Sequence, residues 1–453
     1  MRRPAMPLIA PAPPARTTTL TAPPWRGLPA AQQPPWPDPA AVADVTGELA
    51  RLPALTAAAD VRQAGAALAD VSAHQAFLLQ AGDCAEPTGA MGVAALQGKH
   101  RVLGEMAEII SDRLELPTMT VGRIAGQYAK PRSKPEEIVG GRALPVFRGL
   151  NVNAPDADPA ARIPDPRRLL AGYHSARALL SELHIIAHRA ASDLTPLSAA
   201  HISTRRPRSW DGTLRAVLDD YGRTHRTEDG WRRTGLWTSH EALLLDYEEP
   251  FVRRDPRTGE DYLLSTHLPW VGDRTRQADG AHIALLAHIA NPVAVKIGPG
   301  ISRSDLIALC HRLDPHRRPG RLTLIARLGA AGVRELLPEL IRTVAEAGHQ
   351  VVWASDPMHG NTFTAATGHK TRHMDAITAE TAAFIEILHR AGQWPGGLHL
   401  EVAGDRVTEC LGAGGPRSEQ GLSRAYRTLC DPRLNDDQAR LLARTAADLI
   451  ARG

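Results

Sequence analysis

From about residue 74 onward the chain alternates short apolar runs with longer amphipathic stretches. The runs are FLLQ (77–80), TMTVG (118–122), LPWVG (268–272), PVAVKIG (292–298), LTLIAR (322–327), VVWAS (351–355) and LHLEV (398–402). Each has strand length and is apolar on both sides of the pleat, as a parallel strand covered on both faces should be. Between them lie helix-like stretches such as GVRELLPELIRTVAEAG (332–348), closed by a glycine in the C-cap region, and DAITAETAAFIEILHRAG (375–392). Several strand-to-strand intervals of about 28 residues match the βα unit. The pattern predicts an α/β fold, a (β/α)8 TIM barrel, with a doubly wound open sheet as the alternative.

Two regions break the rhythm. Residues 1–40 hold twelve of the 36 prolines and one acid, Asp38, which predicts an extended or disordered arm. Residues 41–73, which open within AAVADVTGELARLPALT (40–56), predict an N-terminal helical extension, so that the barrel spans 74–453. Within it, residues 193–236 are polar and rich in arginine. They predict a solvated insertion with a helix at 212–221, or else a regulatory or partner-binding surface.

Composition narrows the class. Over 453 residues, 43% are hydrophobic and 23% charged, enough to bury a large core. A net charge of +4 over this length argues against a general nucleic-acid binder. No run of about 18 apolar residues predicts a membrane span, and the start, MRRPAMPLIAPAPPARTTTL, makes a poor secretory signal. Four cysteines (Cys84, Cys310, Cys410, Cys430) are too few for a disulfide scaffold and suit a reducing cytoplasm.

The candidate chemistry follows from where polar residues fall relative to the apolar runs. Cys84 lies just beyond FLLQ, Arg123 follows TVG, Arg274 follows LPWVGD, Lys296 sits in VAVK, Arg327 ends LTLIAR, His359 follows WASDPM, and Glu401 lies in LHLEV. In a parallel barrel the C-terminal ends of strands converge on one mouth, so these segments, with Asp431, can deliver one site. Cys84, His359, Glu401 and Asp431 combine a thiolate, an imidazole and two carboxylates, which suits a divalent transition metal better than Ca²⁺ or Mg²⁺. Arg123, Arg274, Lys296 and Arg327, with Lys130 and Arg132, form a cationic set that suits a phosphorylated or carboxylated ligand. The alternative is that Asp83, Asp273, Glu241 and Asp356 neutralise these cations structurally. The glycines of HGN (359–361) and GPG (298–300) allow close backbone approach to a ligand, or simply turns. A metal beside an anion pocket points to carbon–carbon bond chemistry or hydrolysis on phosphorylated small molecules.

The motifs LLQAGDCAE, GRIAGQYAKPRS, TSHEALLLDYEEP, GDRTRQADGAHI, NPVAVKIGPG, PGRLTLIARLGA, DPMHGNTF, GHKTRH, GLHLEVAGDRVTECLGAG and CDPRLN run in order from about residue 75 to 450. Together they resemble class II 3-deoxy-D-arabino-heptulosonate 7-phosphate (DAHP) synthase, the plant-like and actinobacterial type. The resemblance implies a (β/α)8 barrel with N-terminal additions that condenses phosphoenolpyruvate with erythrose 4-phosphate, the first step of the shikimate pathway. It implies one divalent metal ion, Mn²⁺ or Co²⁺ with Zn²⁺ as a further option, held by Cys84, His359, Glu401 and Asp431. It further implies a phosphoenolpyruvate site at Arg123, Arg274, Lys296 and Arg327, and an aldose-phosphate site at Lys130, Arg132 and Ser133. Trp270 takes the place of a tryptophan that orients the attacking water, with Glu401 as the other residue for that task. A cytoplasmic homo-oligomer, with a chorismate mutase as partner, is the assembly the resemblance implies.

The departures bear on what is made. The family's ERTRQ reads DRTRQ, so Asp273 is one methylene short of glutamate beside the substrate, and CDPMHGN reads SDPMHGN, with Ser355. Two other readings are a specialised-metabolism paralogue, supplying an aromatic precursor or using another phosphorylated aldehyde, and a non-catalytic regulatory homologue. Cys430 directly precedes Asp431, which predicts that its sulfur approaches that of Cys84 and that oxidation can join them.

Overall fold

A computed structural model describes residues 23–194 and 236–453. Eight parallel strands form its centre: β1 (Phe77–Gly82), β2 (Thr118–Arg123), β3 (Leu236–Thr238), β4 (Trp270–Val271), β5 (Val293–Ile297), β6 (Leu322–Ala326), β7 (Val352–Ser355) and β8 (Gly397–Glu401). Their lateral order is β3-β2-β1-β8-β7-β6-β5-β4, which is chain order read around a ring. The ring closes between β3 and β4 through a parallel bridge from Glu241 to Trp270 and backbone bonds such as Leu268 N to Thr238 O (3.2 Å). A doubly wound sheet would reverse its order at a switch point, and this one does not. The fold is the predicted (β/α)8 barrel.

Helices cover the outside. They are α3 (Gly89–Leu114), α4 (Arg167–Leu194), α5 (Ala281–His288), α6 (Arg303–Leu313), α7 (Val333–Glu346), α8 (Met374–Arg390) and α9 (Asp436–Ile450), preceded by α1 (Pro39–Arg51) and α2 (Ala58–Ser72). The stop signals read in the sequence lie where expected: Gly348 and Gly392, just past α7 and α8, have φ of +72° and +65°, a region that glycine enters without steric cost.

Alternation along each strand sets the layers. Phe77, Leu79 and Ala81, Val293, Val295 and Ile297, and Leu398 and Leu400 face the helices. Leu78, Met119, Val121, Ala294, Ile325, Val352 and Ala354 face inward and pack with Ala64, Leu68 and Val71 of α2, which plugs the N-terminal end. Each of these larger apolar side chains gains roughly 1.5–3 kcal/mol from full burial. Continuing inward-facing in steps of two, Leu78 leads to Gln80, Val121 to Arg123, Ala294 to Lys296, Ile325 to Arg327, and Gly397 to His399 and Glu401. The interior therefore grades from apolar at the bottom to charged at the C-terminal mouth.

Two expectations need correction. Seven apolar runs were legible as strands, but β3 is three residues long and was not among them; nothing in LWT announces a strand. From residue 23 to 38 the proline-rich head is docked on the barrel rather than disordered. Trp25 is buried, and its Nε1 donates to Glu249 (3.0 Å); Trp36 Nε1 donates to Asp246 (2.8 Å); Gln33 bonds Leu243 O (2.7 Å) and Leu245 N (3.0 Å). Proline excludes regular ladders but leaves side chains free to dock. The arm's first 22 residues and nearly all of the 193–236 insertion, with its expected helix at 212–221, lie outside the described residues.

Candidate active site

Strand register brings the site's floor together. Gly82 of β1 is level with Arg123 of β2 on one side and Glu401 of β8 on the other, and Ile325 of β6 is level with Lys296 of β5. Above these residues opens a cavity of about 670 Å³, lined by Arg123, Lys130, Arg132, Ser133, Trp270, Asp273, Arg274, Lys296, Arg327, His359, Lys370 and Asp431. Every predicted site residue except Cys84 and Glu401 lines it, and those two lie buried at its base.

Ligand atoms of Cys84, Glu401 and Asp431 lie within 4.8 Å of one another. The Cys84 sulfur accepts from the Asp431 backbone N–H at 3.2 Å and lies 3.5 Å from Asp431 Oδ2. His359 is not within that tight group. It joins through Glu401, its Nε2 3.0 Å from Oε1, while its Nδ1 contacts Asp356 Oδ2 at 2.7 Å. A histidine oriented at one nitrogen by a carboxylate, with the other aimed at a cluster of acids and a thiol, is the arrangement common at metal sites. The donor set fits a borderline-soft divalent ion.

The cluster is electrostatically tense. Burial opposes ionisation of Glu401, but His359, Lys130 and Arg372 outweigh it and hold its pKa well below the ordinary range. Asp431 is likewise depressed against burial, by Lys130, Lys370 and Arg372. Burial, then hydrogen bonding with Cys430, pushes the Cys84 thiol well up, so an incoming cation would have to displace its proton. Cys430, by that same contact with Cys84, is pushed down.

The cations divide. Lys130 belongs to the acidic cluster, its Nζ 3.4 Å from Glu401 Oε1 and 3.2 Å from Asp431 Oδ2, rather than standing free in the anion pocket. Two buried carboxylates demand a counter-charge there. Lys296 pairs with Asp356 (2.8 Å), and burial lowers its pKa despite that partner. Arg327 pairs with Asp273 (3.2 Å), which also holds Arg276 (2.7 Å). Arg132 pairs with Glu137 (2.8 Å). Arg274 donates to Ser133 Oγ at 2.5 Å, and no carboxylate among the described residues pairs with it. Structural neutralisation thus accounts for part of the set: Asp273 and Asp356 serve it, Asp83 instead binds Lys99 and Arg433, and Glu241 Oε1 has no hydrogen-bond partner among the described residues. The shortened acid Asp273 touches Arg327.

Sequence reasoning missed several residues of the site. Arg372 is fully buried and donates to Glu401 Oε2 (2.8 Å), and Lys370 pairs with Asp431 (3.0 Å). Both lie in GHKTRH, away from any apolar run, so the strand-end rule did not find them. Two carboxylates brace the mouth. Glu86 accepts from the N–H groups of Ala125, Gly126 and Gln127 at 2.9, 3.0 and 2.7 Å, fixing the loop after Arg123. Glu380 accepts from Leu328 N, Gly329 N and Asn361 Nδ2 at 2.9, 2.8 and 2.6 Å, tying the loop of Arg327 to that of His359. Of the two glycine motifs, Gly298 does border the pocket: a Cβ there would stand 2.8 Å from Asp273 Oδ2 and 2.9 Å from Arg327 Nη1. Gly360 packs against the backbone of Gly329, where a Cβ would come within 2.4 Å of its nitrogen.

Comparison with known proteins gives the family. The model of the class-II DAHP synthetase family matches residues 20–447. A phospho-2-dehydro-3-deoxyheptonate aldolase of Streptomyces coelicolor is 41% identical over 442 residues, covering 96% of this chain and 98% of that one. A probable enzyme of the same name from Pseudomonas fluorescens is 42% identical, covering 90% and 92%. That of Mycolicibacterium smegmatis is 39% identical, covering 93% of each. The chain belongs to the class-II DAHP synthetase family.

Proposed function

We propose that the protein condenses phosphoenolpyruvate with erythrose 4-phosphate to give DAHP and phosphate, using one divalent transition metal. The observation that carries the reading is the adjacency of a thiol–carboxylate cluster (Cys84, Glu401, Asp431, with His359 beside it) to a pocket lined by four or more cations. Cys84, His359, Glu401 and Asp431 would hold the metal, which when bound supplies Lewis acidity toward an aldehyde oxygen.

The chain's own residues do the rest. Arg123, Arg274, Lys296 and Arg327 bind the carboxylate and phosphate of phosphoenolpyruvate, and Arg132 and Ser133 at the rim hold the aldose phosphate, with Lys130 at the seam. Held so, C3 of the enol faces the aldehyde carbon, which converts a bimolecular encounter into a local one. Positive charge developing at C2 is captured by water. The Trp270 indole N–H, without a partner among the described residues, and Glu401 are the groups that orient that water. As the tetrahedral intermediate collapses, Arg274, Lys296 and Arg327 stabilise the departing phosphate. The protein is read as one catalytic barrel from residue 74 with a helical extension before it.

The test is phosphate release from phosphoenolpyruvate by purified protein with Mn²⁺, Co²⁺ or Zn²⁺ across a panel of phosphorylated aldoses. Erythrose 4-phosphate should give the highest kcat/KM. A different aldose preferred by an order of magnitude would assign another product, and no release with any of them would remove the reading.

A further inference from the structure

Directly beneath the candidate site the barrel interior holds a polar layer: Gln80 of β1, His399 of β8 and Ser239 just after β3, each fully buried. Ser239 Oγ lies 2.5 Å from the backbone oxygen of Leu268. Gln80 Nε2 is 2.6 Å from Ser239 Oγ, Gln80 Oε1 is 2.7 Å from His399 Nδ1, and His399 Nε2 is 2.9 Å from Arg123 Nη1. The other terminal nitrogen of Arg123 reaches Glu401 Oε1 at 3.3 Å.

The two ends of this chain fix every proton in it. A backbone carbonyl only accepts, so the single hydroxyl proton of Ser239 goes to Leu268 and its oxygen must accept from the Gln80 amide. That orients the amide with its oxygen toward His399, so Nδ1 must carry the imidazole proton. Nε2 is left with a lone pair, which is what a guanidinium, a donor at every nitrogen, requires. The opposite tautomer would set two donors face to face at Arg123 and leave Gln80 Oε1 without its donor, a costly arrangement in a site closed to water. Trp270 completes the cradle: its ring stands edge-on to His399 (centroids 5.1 Å) and beneath the Arg123 guanidinium (5.2 Å).

We propose that His399 is a positioning residue: held as the neutral Nδ1–H tautomer by Gln80 and Ser239, it aims Arg123 at the anionic substrate by accepting from its guanidinium. Gln80 and Ser239 act one and two steps further back, through His399. This rests on the reading of Arg123 as a ligand for phosphoenolpyruvate.

Three variants and one spectrum test it. His399→Asn reproduces the Nδ1 position, keeping Gln80 but not reaching Arg123; His399→Gln extends an amide oxygen to where Nε2 stood. His399→Asn should raise KM for phosphoenolpyruvate about tenfold, with kcat and the KM of the aldose phosphate changed far less. His399→Gln should recover most of that loss. Equal losses in the two variants, an unchanged KM, or parallel rises for both substrates would overturn the proposal. In the unsubstituted protein at neutral pH, ring-nitrogen NMR of ¹⁵N-histidine, assigned by the signal missing from either variant, should give the Nδ1–H pattern for His399. An Nε2–H or imidazolium pattern would overturn the proposal without reference to activity. Arg123→Ala separates the two levels: no effect on phosphoenolpyruvate would sink the reading of the site, whereas a large effect with a silent His399→Asn would sink only the positioning role.

Discussion

At the N-terminal end of the barrel the interior is filled by Leu78, Met119, Ala294 and Val352, sealed by Ala64, Leu68 and Val71 of α2. Two to four residues further along β1, β2 and β5 stand Gln80, Arg123 and Lys296, beside Glu401 of β8, and the three charged groups lie in a network of ion pairs. The strands are the same, the burial is the same, and the chemistry is opposite. The apolar end stabilises through transfer from water and needs only volume. The polar end carries desolvation penalties that its pairs recover in part, an arrangement poorly explained by stability and well explained by a ligand that completes it. Apolar packing thus supports a constellation that would not hold itself together.

That contrast can be broken from either side. The largest effect is expected at the metal cluster: His359→Ala should lower kcat by at least about a thousandfold, with little loss of fold, since His359 is partly exposed. Activity together with the unfolding midpoint checks this. A variant with comparable loss of both would place His359 in the scaffold. Next come the cations. Lys296→Ala and Arg327→Ala should each cost roughly 2–4 kcal/mol in kcat/KM for phosphoenolpyruvate, and Arg132→Ala should fall mainly on the aldose phosphate. Initial-rate kinetics in both substrates would expose an error if all three variants hit both equally. At the apolar end the signs invert: Leu68→Ala should cost about 2–5 kcal/mol of stability by denaturant unfolding while leaving both KM values alone.

Smaller effects sharpen the picture at the bracing carboxylates and the thiols. Burial and then Asp356 raise Glu380 to about 7, above its value in the unfolded chain, despite three N–H donors. A group raised on folding contributes stability that is full below the unfolded pKa and is lost as pH rises through the folded one. Between pH 5 and 8 the protein should therefore lose roughly 1–3 kcal/mol from this group, and Glu380→Gln should flatten that part of the curve. Parallel stability curves for the two proteins would remove Glu380 as the cause. Peroxide treatment of metal-free protein should join Cys84 and Cys430, two thiols and one peroxide giving a disulfide and two waters. Activity should return with a reductant and metal. A Cys430→Ser protein that is equally sensitive and equally reversible would rule the bond out.

Much of this was legible in the sequence. Buried parallel strands read as apolar runs, and the residue at or just past each run's end is where a barrel presents chemistry, so Arg123, Lys296, Arg327 and Glu401 could be named from position alone. Cys84, His359 and Asp431 needed the further idea that their atoms suit one metal. What was hidden has physical reasons. Lys370 and Arg372 arrive on a long loop whose path no periodicity records. Three-residue β3 carries no pattern. Trp25, Gln33 and Trp36 dock through individual side-chain bonds that composition cannot foresee. His399 could have been found: stepping back two positions from Glu401 along one strand face lands on it.

The central claim is that one divalent ion sits on Cys84, His359, Glu401 and Asp431 at the charged end of the barrel. Titration of metal-free protein with Co²⁺, followed by absorbance, tests it most directly, because a thiolate ligand adds a sulfur-to-cobalt charge-transfer band. The account predicts a band that saturates at one Co²⁺ per chain and is lost in Cys84→Ser. Saturation without that band, or the same band in Cys84→Ser, would contradict it.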